Sequence, residues 1–326
     1  MIISLFDTAE DERLVFTSLL TGHTLSFHKE SLTKQNAAGA EETDVLYVRS
    51  FSHVTADILR SLPKLKFIAT RSTGFDNIDL DYCKKRRIVV SNVPSYAVDA
   101  VTEHTFGLLL SLSHNIVSCV QKTRTGSFFE GPQGFEISGK TIGIIGLGNI
   151  GSRVAQIAKG FGMHVLVTTK HPTQVRARKY GVTFVDFPTL LQKSDVVSFH
   201  VPLTEETFHM LNINTIASLK HGNILINTSR GEVIETKAIV WALQHGILYG
   251  AGLDVLENER GLKEFAGKRL TESDITALNH KLMTDQRVLV TPHNAYHTKE
   301  AIDTILRISA ENIIAFLKKK PINRVV

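Results

Sequence analysis

Between Thr141 and Phe161 the sequence leaves little choice of fold. Thr141-Ile142-Gly143-Ile144-Ile145 is a short, mostly β-branched run that reads as a buried strand. It passes directly into Gly146-Leu147-Gly148-Asn149-Ile150-Gly151, and Val154, Ile157, Ala158 and Phe161 then recur at helical spacing. Each glycine has a physical task in such a strand–loop–helix unit. Gly146 permits the tight turn, Gly148 lets the backbone approach a pyrophosphate, and Gly151 lets helix and strand pack closely. The helix start offers free N–H groups and the positive end of its dipole to phosphates. A glycine triplet alone is weak evidence, but with the strand before it and the helix after it the pattern predicts a dinucleotide-binding crevice.

The rest of the chain repeats the same alternation. Strand candidates are Ile2–Phe6, Asp44–Val48, Phe67–Arg71 and Ile88–Ser91, then Thr141–Ile145, His164–Thr168, Thr183–Val185, Asp195–Phe199, Asn223–Asn227, Tyr249–Asp254 and Val288–Thr291. Amphipathic stretches lie between them, such as Thr55–Leu62 before Pro63. Tyr96–Ser118 reads as one long buried helix, Gly126–Gly139 as a connector, and about Lys299 to Lys318 as a final helix with Ile302, Ile305, Ile313 and Phe316 on one stripe. The pattern predicts an α/β chain of two doubly wound parallel-sheet domains with a ligand cleft between them. A length of 326 residues suits two cores better than one.

Composition narrows the partners. With 43% hydrophobic and 21% charged residues the chain is globular rather than disordered. Lys and Arg exceed Asp and Glu by only 37 to 32, and no nucleic-acid-binding module accompanies them, so no nucleic acid is expected. Cys83 and Cys119 stand alone, outside any metal-ligand spacing, which predicts no metal and a reducing compartment. The start has no basic n-region and no apolar run reaches membrane-spanning length; the expectation is a cytoplasmic protein with no membrane partner.

The strand at His164–Thr168 should carry, about 20 residues past the glycine loop, an acid for the ribose hydroxyls. Thr169 stands there instead, followed by Lys170. A hydroxyl with a lysine can accept a 2′-phosphate that an acid would repel, with Arg176 and Arg178 as further candidates. The alternative is that Lys170 is an ordinary solvated lysine. The cofactor expectation is NAD(H) or NADP(H), tilted towards NADPH or use of both.

Three polar signals close apolar strands: Asn227-Thr228-Ser229-Arg230-Gly231, Asp254-Val255-Leu256-Glu257-Asn258-Glu259, and Thr291-Pro292-His293-Asn294-Ala295-Tyr296. At carboxyl ends of parallel strands, all three face the ligand crevice. Together with the glycine loop and Ser198-Phe199-His200-Val201-Pro202-Leu203-Thr204, they make the chain resemble the D-isomer-specific 2-hydroxyacid dehydrogenase family over nearly its whole length. Val93-Pro94-Ser95-Tyr96, His293-Asn294-Ala295-Tyr296-His297-Thr298 and the long segment between Glu259 and Thr291 resemble its D-lactate dehydrogenase branch.

The resemblance implies hydride exchange between a nicotinamide dinucleotide and a small 2-keto or D-2-hydroxy acid. Its catalytic set maps to Arg230, Glu259 (rather than Glu257) and His293. Its cofactor positions map to Gly146, Gly148, Asn149, Ile150, Gly151, Thr169, Lys170, His200, Val201, Pro202, Thr207, Thr228, Ser229 and Asp254. Its substrate positions map to Thr73 and Gly74 in Arg71-Ser72-Thr73-Gly74-Phe75, with Tyr96, Arg230 and Tyr296; the two tyrosines can equally be core aromatics. The chemistry suits the residue types: Arg grips a carboxylate through paired hydrogen bonds, His moves a proton, and Glu orients the imidazole and favours its charged form. The resemblance also implies a substrate-binding, flavodoxin-like domain of residues 1–98 and 299–326, a Rossmann-type NAD(P) domain of 99–298, and a homodimer. Glu103 and His104 read as hinge or capping groups, His200 as a backbone contact to the cofactor, and Cys83 as a small hydrophobe. A glyoxylate or hydroxypyruvate reductase, or a dinucleotide-sensing corepressor-like protein, remains an alternative.

Overall fold

The computed structural model describes residues 1–128, 131–263, 271 and 274–326. Parts of two sequence features, the Gly126–Gly139 connector (129–130) and the long segment after Glu259 (264–270 and 272–273), therefore lie outside the described residues. The chain forms two compact units: Met1–Tyr96 with Thr298–Val326, and Ala97–His297.

The first unit is built on five parallel strands, β1 (Ile2–Leu5), β2 (Thr24–Phe27), β3 (Val45–Val48), β4 (Phe67–Thr70) and β5 (Val89–Ser91), in the order β2-β1-β3-β4-β5. That order is flavodoxin-like. Alternation along each strand assigns its faces. Ile3, Leu5, Val45, Tyr47, Phe67 and Ala69 pack with Phe16 and with Ile305, Ala310 and Ile313 of the helix Lys299–Leu317. Leu46, Val48, Ile68 and Val90 turn to the other face, against Ile58, Leu59, Leu62 and Cys83. Both faces are covered, as parallel sheets require. The last helix thus returns to the first unit, where Phe316 stacks on Phe67 at 4.4 Å.

The second unit has seven strands, β6 (Thr141–Ile145), β7 (His164–Thr168), β8 (Thr183–Phe184), β9 (Val196–Phe199), β10 (Asn223–Asn227), β11 (Leu248–Leu253) and β12 (Val288–Val290). Their order is β12-β11-β10-β9-β6-β7-β8, all parallel. From β6 the chain winds outward through β7 and β8, then crosses back to β9 and runs the other way. This is the topological switch point, where the carboxyl ends of the strands leave a crevice.

The expected single helix over Tyr96–Ser118 is corrected. A buried helix spans Val98–Ser113, and a second spans Ile116–Arg124 with no buried residue. Asn115 breaks them with φ 53°, a left-handed conformation that asparagine tolerates better than most residues. Apolar residues continue across the break, which is why the sequence reads as one helix. Among the described residues no helix is long and apolar enough to cross a membrane, and no group of His, Cys, Asp and Glu is arranged to hold a metal ion.

Candidate active site

The glycine loop closes β6 and opens the helix Asn149–Gly160. Gly146 has φ 94°, and a Cβ there would lie 2.4 Å from the His200 carbonyl oxygen and 2.8 Å from Val201 Cγ1. A Cβ at Gly151 would lie 2.0 Å from the Gly146 carbonyl oxygen, so the helix can seat on the turn only without a side chain. Gly148 differs: nothing lies within 4 Å of its Cβ position. It is the N-cap, no side chain caps the helix, and no acid occupies its first turn. An uncapped helix start with an open glycine in front of it fits a pyrophosphate. Asn149 is exposed beside Gly148, while Ile150 is half-buried against the core.

The flanks of the loop are ordered by local contacts. His200 is half-buried, its ring bonded to Ser198 Oγ at 2.8 Å, and desolvation of the ring pushes its pKa down to about 3. The lowered pKa favours the neutral ring, and the His200 carbonyl faces Gly146. Pro202 is exposed, and Thr207 donates to its carbonyl at 2.6 Å while accepting from Thr204 N at 2.8 Å. The Thr207 side chain therefore pins the turn. Thr169 lines a cavity of about 390 Å³ with Val167, Thr168, Pro172, Phe184, Val185 and Asp186. Lys170 is ion-paired with Glu206. Arg176 donates to the carbonyls of Leu147 and His171, so it braces the glycine loop rather than standing ready for a phosphate.

Three strand ends carry the remaining polar residues. After β10, the buried Asn227 accepts from Ser229 N at 3.0 Å and Ser229 Oγ at 2.8 Å, and donates to the Arg230 carbonyl at 2.9 Å. One side chain thus folds the turn that presents Arg230. Thr228 meets Thr105 of the Val98–Ser113 helix at 3.2 Å. After β11, Asp254 is 2% exposed and acts as a hub. Its carboxylate accepts from Thr291 Oγ1 at 2.5 Å, Asn294 N at 2.7 Å and Ala295 N at 2.9 Å, and its carbonyl accepts from His293 N at 2.8 Å. Asp254 therefore shapes the loop that carries His293.

That loop holds His293 at φ 50°, a strained setting for a histidine. Its Nδ1 meets Glu259 Oε2 at 3.1 Å. Burial works to lower the His293 pKa and the nearby Arg230 charge adds to that. The hydrogen bond and charge of Glu259, with a contribution from Asp254, outweigh both, so the pKa is raised. Glu257 is occupied elsewhere: it is buried, accepts from Thr236 N and Oγ1, and pairs with His209 at 2.8 Å. Tyr296 is half-buried, its ring 6.4 Å from that of His293.

His104 is corrected. It lies inside the Val98–Ser113 helix rather than at its start, and it reaches Thr291 Oγ1 at 3.0 Å and Asp254 Oδ1 at 3.5 Å. Only the fold reveals this contact, since the partners are 187 residues apart. In the first unit, Thr73 is exposed and donates through Oγ1 to the Val93 carbonyl at 2.8 Å, while Ser72 donates to the Gly74 carbonyl at 2.5 Å. Among the described residues no acceptor takes the backbone N–H of Thr73 or Gly74. Tyr96 packs partly buried against the first unit's core.

Comparison with known proteins addresses the same region. Residues 106–295 match the family model described as D-isomer specific 2-hydroxyacid dehydrogenase, NAD binding domain. The D-lactate dehydrogenase of Escherichia coli K12 is 37% identical over 296 residues, covering 90% of this chain and 89% of that one. The chain belongs to the D-isomer-specific 2-hydroxyacid dehydrogenase family. A glyoxylate reductase of Thermococcus litoralis is also 37% identical, over 285 residues that cover 85% of this chain and 81% of the relative. Among solved structures, the Aquifex aeolicus D-lactate dehydrogenase complexed with NAD and lactic acid superposes with a TM-score of 0.91 at 33% identity, covering 98% of this chain and 96% of that one. The protein is thus an NAD-dependent D-2-hydroxyacid dehydrogenase of the D-lactate dehydrogenase-like kind, and it binds NAD(H).

Proposed function

We propose that this dehydrogenase interconverts a small 2-keto acid and its D-2-hydroxy acid, with pyruvate and D-lactate as the first candidates, through Arg230, Glu259 and His293. The observation that carries the reading is the His293–Glu259 pair at 3.1 Å, with the Arg230 charge close enough to act on the same imidazole. Glu259 engages Nδ1, which leaves Nε2 as the ring nitrogen that gives a proton to the carbonyl oxygen in reduction and takes it back in oxidation. Arg230 binds the substrate carboxylate through a charge-assisted pair of hydrogen bonds. Thr73 and Gly74 add their backbone N–H groups, and Tyr96 and Tyr296 contact the rest of the acid. Asp254 holds the histidine loop in register through four hydrogen bonds.

The dinucleotide positions follow the same logic. Gly146, Gly148, Asn149, Ile150 and Gly151 receive the pyrophosphate, and the cavity beside Thr169 takes the adenosine end. His200, Val201, Pro202, Thr228 and Ser229 line the other side, with Thr207 as the pin of their turn. When bound, the reduced nicotinamide supplies the hydride.

The relative from Thermococcus litoralis, a glyoxylate reductase, supports glyoxylate as the second substrate candidate. The test is the decay of NADH absorbance with pyruvate, glyoxylate, hydroxypyruvate and a branched 2-keto acid in parallel. Pyruvate turning over fastest supports the reading; a preference for glyoxylate or hydroxypyruvate replaces it with the reductase.

The assembly is a homodimer in this reading. Ile116, Val117 and Val120 are 46%, 40% and 43% exposed on a helix with no fully buried residue, an apolar surface that a second copy covers. Sedimentation should give twice 36.1 kDa; the single mass would refute the dimer. The two free thiols, Cys83 and Cys119, support a cytoplasmic setting.

A further inference from the structure

The Lys170–Glu206 ion pair is the feature that the reading above leaves unused. Lys170 follows Thr169 just beyond β7, and Glu206 belongs to the Thr204–Thr207 turn beyond β9. These strands flank β6 on opposite sides, so the pair joins the loops on either side of the strand that feeds the glycine loop. The turn bearing Glu206 is fixed by the buried Thr207 hydroxyl, which presents the carboxylate from an ordered loop.

A 2′-phosphate is selected when an unpaired cation waits beyond β7 and rejected when an acid stands there. This chain has neither arrangement in its usual place. Thr169 removes the acid, but Lys170 already has a carboxylate partner. Arg176 is committed to the Leu147 and His171 carbonyls, and Asp186, whose carboxylate caps the following helix at Thr189 N, is a further lining residue of the cavity beside Thr169. We propose that Glu206 is a cofactor-specificity residue: by engaging Lys170 from the opposite loop it replaces the missing acid and favours NADH over NADPH. The inference rests on the dinucleotide site assigned to the glycine loop. Both side chains are largely exposed, 63% and 68%, so the effect is moderate and weakens with salt.

The test is direct binding, with no keto acid present. NADH and NADPH, and the fragments 5′-AMP and 2′,5′-ADP, are titrated calorimetrically into the full chain, into Glu206→Gln and into Glu206→Gln with Lys170→Met. The expected result is that wild type prefers NADH and that Glu206→Gln narrows the NADPH/NADH ratio of dissociation constants by about two- to fivefold. The two fragments should show the same trend, added salt should shrink it, and the second substitution should erase it. A ratio that Glu206→Gln leaves unmoved, or moves equally without Lys170, overturns the proposal while the dinucleotide site stands. Wild type that binds neither dinucleotide overturns the site and the proposal together.

Discussion

Each unit places a cation against a carboxylate just beyond a parallel strand, and the two pairs have opposite characters. In the first unit Arg71 follows β4 and meets Glu12, with side chains 3% and 5% exposed. In the second, His293 beyond β12 meets Glu259, with side chains 32% and 37% exposed. Burial separates holding from acting. Arg71 and Glu12 have both left water, so each is tolerable only because the other is present. The pair is a fixed brace, and the same burial pushes the neighbouring Tyr47 hydroxyl pKa well up. His293 is sheltered enough to feel its partner and open enough for the proton exchange proposed for it. Its pKa rises because Glu259 favours the imidazolium more strongly than burial and Arg230 oppose it.

Removing a member of each pair should therefore fail in different ways. His293→Ala is expected to have the largest effect, slowing keto-acid reduction by about 10²–10⁴-fold. The unfolding midpoint should stay near that of wild type, since a half-exposed pair adds little stability. Turnover near the wild-type rate would remove His293 from the chemistry. Arg71→Met should do the reverse and cost about 3–5 kcal/mol of stability, because Glu12 is left buried without its cation. Urea unfolding reads this as an earlier midpoint. An unmoved midpoint would mean that the buried pair is not a brace, and the contrast between the units would collapse.

Local rules made much of this legible from sequence. The glycine loop is a contiguous pattern whose strand, turn and helix each impose a residue type, so Thr141–Ile145 and the helix behind Gly148 could be read directly. The strand-end signals were legible for the same reason, since apolar runs end abruptly in polar ones. β2 was missed because Thr24–Phe27 is a four-residue edge strand with no fully buried position, leaving little alternation to detect. The break at Asn115 was missed because apolar residues continue on both sides of it. Contacts that join distant segments were beyond reach: His104 with Thr291, Glu257 with His209 and Lys170 with Glu206 obey no spacing rule. The reading of Lys170 turns on that last contact. The sequence offered Lys170 either as a partner for a 2′-phosphate or as a solvated lysine, and could not show the carboxylate from another loop that pairs with it.

Glu259 is expected to set the proton affinity of His293, and the pH dependence of reduction reads that affinity. In the proposed mechanism reduction needs the His293 imidazolium, so kcat/KM should fall as pH rises through the raised His293 pKa. Glu259→Gln removes the main contributions that raise this pKa. Burial and Arg230 remain, and both lower it. The falling limb of the profile should then move to lower pH, and the rising limb for D-2-hydroxy acid oxidation should move the same way. A limb at the wild-type position in Glu259→Gln would show that Glu259 does not tune the His293 proton.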